Sequence, residues 1–143
     1  MEGLVDQQQP SLGLALHLLE RVRHEAGTRG LALAAAVVDA GGNTVATQRM
    51  DGAALGALRL AEGKAYTAVL WGTATRAFGA STQPGGDDWG WNTTDPRIVV
   101  YAGGVPLFVD GRLVGGLGAS GGAAADDDAC VTAAARTVGF ENP

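Results

Sequence analysis

The sequence predicts an α+β fold, in which helices cover a mostly antiparallel β-sheet. Two hairpin signals carry this prediction: one pair of apolar runs flanks a glycine-rich turn at residues 40–43, and a second pair flanks Asp110-Gly111. Segments with helical periodicity lie before, between and after these hairpins. Since hairpins join antiparallel neighbours, this order favours a sheet with helices packed on it, an α+β sandwich.

The N-terminal half contains the first hairpin between two helices. Pro10-Ser11 opens a helix that runs to about Ala26, where glycines end it. The other predicted elements of this half are a buried strand at 31–39, a returning strand at 44–50, a helix at 55–71 and a helical turn at 73–78.

The C-terminal half begins with a long loop at residues 79–96. Loops of more than about 12–15 residues are uncommon in small domains and are often binding loops. A short strand is predicted at 98–101, followed by the second hairpin with strands at 105–109 and 113–117. The last helix is predicted at 124–138, and its acidic first turn suits the helix dipole.

Glycine is concentrated in the second hairpin, where it occupies eight of the twenty positions 103–122. The Asp110-Gly111 pair is typical of a type I′ turn. Glycine inside a strand marks a bulge or the close approach of a ligand or another backbone. The sequence therefore predicts that this hairpin lies very close to a ligand or to another stretch of backbone.

Length and composition exclude several classes of protein. At 143 residues the chain fits one domain, predicted at 11–143 after a flexible segment at 1–10. The net charge of −5 argues against nucleic acid as a partner. Neither an apolar run of about 18 residues nor a signal peptide is seen, so no membrane contact and a cytoplasmic location are expected. The lone Cys130 argues against an internal disulfide or a cysteine metal cluster.

The two histidines lie seven residues apart in the first predicted helix. This spacing places His17 and His24 about 20° apart around the helix axis, opposite its apolar stripe. They are candidates for iron ligands, for a subunit contact or for a pH-sensitive pair. The alternative is two solvated surface side chains.

Two basic side chains are candidates for contacts with a ligand. Arg49 follows the first hairpin, where its guanidinium either binds a ligand carboxylate or pairs with Asp51. Lys64 lies among alanines in the second helix, so it is either desolvated and directed at a pocket or partner, or extended along the surface.

The long loop contains Trp89 and Trp91 in the segment DDWGW. Tryptophans in a glycine-flanked loop indicate stacking on a flat ligand or burial in an interface, and the alternative is that they fill the domain's own core. The acidic run at 126–128 either complements the helix dipole, which is favoured, or binds a hard cation. No metal site is predicted.

Three segments resemble the HbpS/GlcG-like heme-binding family, which includes the C-terminal domain of PduO-type proteins. They are VVDAGGNTVATQRMDGA (37–53), KAYTA (64–68) with Thr75 downstream, and GGVPLFVDGRLVGGLGASGG (103–122) with Asp127 beyond it. The resemblance implies a profilin-like sandwich with a five-stranded antiparallel sheet. It also implies self-association, from dimers to octamers, with a pocket at or near the subunit contacts.

The resemblance further implies a ligand and some of its contacts. Known members bind heme, and some bind corrinoids or iron. Thr75 matches a threonine near the heme in one branch, and some relatives use an N-terminal histidine as axial ligand, a role that falls here to His17 or His24. The loop with Trp89 and Trp91 departs from the family pattern and is expected to reshape the pocket.

The leading functional hypothesis is a small homo-oligomer that binds heme or a related tetrapyrrole. Its predicted contacts are His17, His24, Arg49, Lys64, Thr75, Trp89 and Trp91. The alternative is a cofactor-independent biosynthetic enzyme on the same scaffold, an isomerase, cyclase or hydratase for a small organic or polyketide-like substrate in natural-product biosynthesis. Its acid–base candidates are Asp88, Asp95 and Tyr101. A third hypothesis is an assembly protein whose glycine-rich strands serve packing alone.

Overall fold

One antiparallel sheet organises the chain in the computed structural model, which describes residues 1–141 and 143. In chain order the elements are α1 (Leu12–Thr28), β1 (Ala34–Asp39), β2 (Thr44–Arg49), α2 (Ala57–Trp71), β3 (Gly104–Val109), β4 (Arg112–Ser120) and α3 (Ala124–Val138), with 3₁₀ turns at Thr75–Phe78 and Trp91–Thr93. The strand order is β2-β1-β4-β3. This arrangement confirms the predicted class. Within the described residues, no helix has both the length and the apolar character needed to cross a bilayer.

Both predicted hairpins form, each through its own turn chemistry. In the β1–β2 turn, Asp39 Oδ1 accepts hydrogen bonds from the backbone N–H groups of Gly41 (2.8 Å) and Asn43 (2.9 Å). In the β3–β4 turn, Asp110 and Gly111 have φ angles of 49° and 74°. Two consecutive positive φ angles are what a type I′ turn requires, so that prediction is confirmed.

The two faces of the sheet bury different helices. Along β1, Ala35 and Val37 pack into the core beneath α1 and α3, while Ala34 and Ala36 pack against α2. This alternation follows from the two-residue period of a strand. The larger core lies on the side of α1 and α3, and its buried aliphatic side chains include Leu18, Leu19, Val22, Val105, Leu107, Leu117 and Val131.

The strand glycines bring the backbone of α2 directly onto the sheet. Gly104, Gly116 and Gly118 all face α2. A Cβ at Gly118 would overlap the Ala61 carbonyl oxygen and lie 2.6 Å from the Ala65 nitrogen. The close approach predicted from these glycines therefore includes a helix of the same chain.

The predicted strand at residues 98–101 is wrong, and among the described residues the sheet has four strands rather than five. This segment lies against α2 instead of pairing at a sheet edge. The Val99 backbone N–H donates to Thr67 Oγ1 (2.9 Å), and a side chain at Gly63 would overlap that of Val99. A short apolar run is buried equally well by a helix or by a sheet, so its pattern does not distinguish the two.

The residues that precede α1 contact β4. Pro10 is buried next to Gly115, and the Gln7 side-chain amide donates to the Leu113 carbonyl oxygen (2.9 Å). Ser11 then caps α1 by accepting a hydrogen bond from the Leu14 N–H (3.2 Å).

Candidate ligand-binding site

Lys64 and Asp127 form an ion pair in the interior, between α2 and the first turn of α3. Only 2% of Lys64 is exposed, and its Nζ lies 3.0 Å from Asp127 Oδ2. Nζ also donates to the Ala119 carbonyl oxygen (3.0 Å) and to Ser120 Oγ (3.2 Å). Asp127 Oδ1 accepts from the Gly122 N–H (2.9 Å). An ammonium has three donors, and all three are used, so the pair joins α2, β4 and α3 rather than facing a ligand.

Burial lowers the pKa of Lys64, because the charged ammonium loses its hydration, while the hydrogen bond to Asp127 opposes the shift. The sequence left open whether Lys64 is desolvated or extended along the surface. It is desolvated, and its partner belongs to the same chain. The next acid along, Asp128, pairs at the surface with Arg76 (3.2 Å). In the described part of the chain, no group of three or more His, Cys, Asp or Glu side chains is placed to hold a metal ion.

Thr75 connects the 3₁₀ turn after α2 to the beginning of β3. Its buried Oγ1 accepts a hydrogen bond from the Gly104 N–H (2.9 Å) and donates to the Gly104 carbonyl oxygen (3.4 Å). These bonds satisfy backbone groups at the start of an edge strand. Thr75, like Lys64, has a structural role in this fold.

The two tryptophans of the long loop have different surroundings. The ring of Trp91 lies 5.0 Å from that of Phe78 and 5.7 Å from that of Trp71, measured between centroids. Trp89 is 64% exposed. Trp91 therefore fastens the loop to aromatic side chains of the same chain, while Trp89 faces outward.

A groove between α1 and the edge strand β2 contains His24 and Arg49. It consists of two adjoining depressions of about 520 and 420 Å³, which share Arg23 and Met50. His24 lines the first and Arg49 the second. Arg23 is paired with Glu20 (2.6 Å), whereas the exposed side chains of His24 and Arg49 make no hydrogen bond or ion pair within residues 1–141 and 143. We call this the α1–β2 groove.

Hydrogen bonds between elements fix the floor of the α1–β2 groove. The Gln48 side-chain amide donates to the Leu19 carbonyl oxygen (2.6 Å), which ties β2 to α1. Met50 Sδ accepts from the Leu33 N–H (3.3 Å). The two sides of the groove are therefore joined by a direct hydrogen bond between β2 and α1.

His17 is exposed on α1 but lies outside the α1–β2 groove. The same N-terminal half of α1 exposes Leu12 and Leu16. The two histidines, which share one side of the helix, therefore have different neighbours.

A second group of polar side chains joins α2 to the segment after the long loop. The Tyr66 hydroxyl donates to Asp95 Oδ2 (2.6 Å). Arg97 donates to the same carboxylate from Nη2 (2.9 Å), Nε (3.2 Å) and its backbone N–H (2.9 Å). The guanidinium carbon of Arg97 lies 4.1 Å from the centre of the Tyr66 ring, a cation–π contact. We call these three residues the Tyr66–Asp95–Arg97 cluster.

The hydrogen bonds of the cluster shift two pKa values in opposite directions. Those from Arg97, followed by that from Tyr66, hold the pKa of Asp95 well below its ordinary value. The bond to Asp95 raises the pKa of Tyr66, because it stabilises the protonated phenol. A general base works best when its pKa lies near the working pH, so this carboxylate is suited to positioning rather than to proton abstraction.

The alkaline titration of Tyr66 tests the cluster. In a Tyr101→Phe background, where Tyr66 is the remaining tyrosine, we expect the midpoint of phenolate formation to lie above pH 10.0, and Asp95→Asn to move this midpoint to lower pH. Because the folded pKa is raised, this interaction stabilises the fold fully below the ordinary value and loses its effect as the pH rises through the folded pKa. Identical titrations with and without Asp95 would show that the bond does not form.

The three acid–base candidates do not form one constellation. Asp95 is engaged by Tyr66 and Arg97, whereas Asp88 and Tyr101 are exposed and make no side-chain hydrogen bond to it in the described part of the chain. This arrangement does not favour the enzymatic alternative.

Sequence reasoning missed Tyr66 and Arg97 as site residues and missed the partner of Lys64. A lysine that is buried among alanines needs a buried counter-charge. Asp127 follows one of the three segments that resemble the family, so this pair could have been anticipated from the sequence. Tyr66 and Asp95 are 29 residues apart and lie on different elements, so no local pattern joins them.

Comparison with known proteins gives a consistent result. Residues 11–136 match the family model described as "Haem degrading protein HbpS-like". An uncharacterized 15.0 kDa protein from the dhaT-dhaS intergenic region of Citrobacter freundii is 34% identical over 118 residues, which cover 82% of this chain and 83% of that protein. The corrinoid adenosyltransferase PduO of Salmonella typhimurium is 37% identical over 121 residues, 81% of this chain but only 36% of PduO. The similarity to PduO therefore concerns one part of a longer protein.

Solved structures share the whole architecture. The Klebsiella pneumoniae protein ORFY superposes with a TM-score of 0.93 at 29% identity, over 99% of both chains. The PduOC–heme complex superposes with a TM-score of 0.84 at 32% identity, over 88% of this chain and 92% of the other. The resemblance read from the three sequence segments is confirmed.

Proposed function

The chain belongs to the HbpS-like family, and from that premise we propose that it binds heme or a related tetrapyrrole in the α1–β2 groove. The observation that carries the proposal is that one groove contains an exposed imidazole, His24, and an exposed guanidinium, Arg49, neither of which has an ion pair or a side-chain hydrogen bond among the described residues. The heme complex of a structural relative that is 32% identical supports the class of ligand.

The residues of the α1–β2 groove fit one half of a heme site. A histidine imidazole is an ordinary axial ligand of heme iron, and a guanidinium binds carboxylates such as the heme propionates. We assign these roles to His24 and Arg49. Met50 Sδ already accepts a hydrogen bond, so the thioether is assigned to the wall of the site rather than to the metal. Bound heme would supply a redox-active iron.

A second copy of the chain completes the site in this proposal. The groove is open and largely polar, with Glu20, Thr28 and Gln48 among its walls, whereas a macrocycle needs apolar cover. The outer edge of β2 is unpaired in the sheet, and α1, which forms one side of the groove, also exposes Leu12 and Leu16. Self-association over this face would therefore bury apolar side chains together with the ligand.

Hemin titration of His24→Ala tests the assignment. Because the substitution removes the axial ligand, we expect hemin affinity to fall at least about tenfold and the Soret band of the remaining complex to shift. Arg49→Ala is expected to weaken binding with little change in the spectrum, because it removes a carboxylate contact and leaves the iron ligand in place.

The matched control is His17→Ala, which also removes an exposed imidazole from the same helix, but from outside the groove. Its hemin affinity and spectrum should match those of the unaltered protein. Unchanged binding in His24→Ala would refute the assignment of His24 as ligand, and the absence of saturable hemin binding in the unaltered protein would refute the proposed function.

A further inference from the structure

A cleft beside the Tyr66–Asp95–Arg97 cluster lies outside the α1–β2 groove, and we propose that it binds a small organic monocarboxylate with an apolar body. The cleft has a volume of about 530 Å³ and lies between α2, the β1–β2 turn and residues 96–99. That volume falls within the range of small-molecule sites, about 300–1,000 Å³. The side chains on which the proposal depends are Arg59, Leu60, Glu62, Tyr66, Arg97 and Val99.

Arg97 presents a guanidinium whose orientation is already fixed. Its Nε and Nη2 donate hydrogen bonds to Asp95, and its guanidinium carbon lies over the Tyr66 ring. Its Nη1 makes no hydrogen bond within the described residues, and the side chain is 65% exposed along the cleft. A donor that is held in place loses little conformational entropy when a ligand binds.

Arg59 supplies a second guanidinium from α2. It is exposed, lines the cleft and has neither an ion pair nor a side-chain hydrogen bond in the part of the chain that the structure describes. Guanidinium groups bind carboxylates through parallel N–H···O bonds, which are stronger than bonds between neutral groups. A carboxylate is thus the acceptor that suits the donors of this cleft.

Apolar side chains form the other walls of the cleft. Leu60 and Val99 line it, and Val99 packs directly on Gly63, where any side chain would overlap it. The β1–β2 turn closes on the Tyr66 ring so tightly that a Cβ at Gly42 would lie 2.7 Å from Cδ2. The cleft therefore has a closed floor and an apolar wall against which a hydrocarbon body can be buried.

The charge balance favours one carboxylate over two. Asp95 compensates the charge of Arg97, and Glu62 lines the cleft three residues after Arg59. A second carboxylate on the ligand would face Glu62 or Asp95 without a free cation. Heme is disfavoured here, because the lining includes no histidine, methionine or cysteine, and Tyr66 is held as a phenol by Asp95.

Titration with cinnamate, followed by the amide resonances of the protein, tests the proposal. We expect saturable shifts confined to residues around the cleft, and no saturable shifts with the uncharged counterpart cinnamyl alcohol. Arg59→Ala should weaken cinnamate binding about tenfold, the effect of losing roughly 1.4 kcal/mol of binding free energy. Arg97→Lys, which keeps the charge but loses the planar fork, should also weaken it.

Arg136→Ala is the matched control, because it removes an exposed arginine of α3 that does not line the cleft. Its cinnamate affinity should equal that of the unaltered protein. The absence of saturable shifts with cinnamate, or equal affinities in Arg59→Ala and Arg136→Ala, would overturn the proposal. The two sites are separable, because Arg59→Ala should retain hemin binding and His24→Ala should retain cinnamate binding.

Discussion

Asp127→Asn is expected to lower the free energy of unfolding by about 3–5 kcal/mol, the effect of removing one partner from a buried ion pair. The substitution keeps an acceptor for the Gly122 N–H but removes the carboxylate that is hydrogen-bonded to the Lys64 ammonium, at a site that is 2% exposed. Denaturant unfolding, followed by circular dichroism, measures the change.

The loss of folding stability in Asp127→Asn should also depend on pH. Without its partner, Lys64 has a folded-state pKa still further below 10.5, so the unfolded chain binds the proton more readily. Stability of the variant should therefore rise as the pH approaches 10.5, because a neutral lysine is buried at less cost.

Asp128→Asn is the matched control for this experiment. It makes the same chemical change one residue further along α3, at a pair with Arg76 whose side chains are partly exposed. Because such pairs contribute little, a loss of less than about 1 kcal/mol is expected. Equal losses in the two variants would show that the Lys64–Asp127 pair does not hold α2, β4 and α3 together.

Gly118→Ala is expected to destabilise the fold by about 3 kcal/mol, at the upper end of the usual cost of overpacking a core. The added methyl group would overlap the Ala61 carbonyl oxygen and lie 2.6 Å from the Ala65 nitrogen. Both atoms belong to the backbone of α2, so no side-chain rotation relieves the overlap and the helix itself must move. Thermal unfolding of the variant measures the cost.

Gly27→Ala is the matched control, in which the same substitution is not expected to destabilise the fold. Gly27 lies in α1, and a Cβ there would meet nothing within 4 Å. Alanine is favoured over glycine in helices by up to about 1 kcal/mol, so this variant should be as stable as the unaltered protein or slightly more stable. A Gly118→Ala protein of unchanged stability would show that α2 does not rest on the strand glycines.

The sequence predicted the hairpins and helices because their signals are local. The Asp110-Gly111 turn, the continuous apolar run of β1 and the glycine that ends α3 each depend on a few neighbouring residues. The prediction of a strand at 98–101 was wrong because a short apolar run can be buried either within a sheet or against a helix. Its contact with Thr67 and Gly63 depends on the path of a long loop.

The candidate sites were harder to predict from the sequence, because they too depend on contacts between residues that are far apart in the chain. His24 and Arg49 were recognised singly, but their shared groove depends on how α1 lies beside β2. The Tyr66–Asp95–Arg97 cluster brings together residues from α2 and from the end of a long loop. Charge pairing across such distances is set by tertiary packing, which a residue pattern does not encode.

Ferric hemin offers the most direct test of where the principal ligand binds, because its paramagnetic iron broadens the resonances of nearby nuclei. Amide spectra recorded during a hemin titration should lose intensity first at His24, Gly27 and Arg49, along the α1–β2 groove. Resonances of Tyr66 and Arg97 should persist. Broadening centred on those two residues, or on the loop around Trp91, would contradict the assignment of the heme site to the α1–β2 groove.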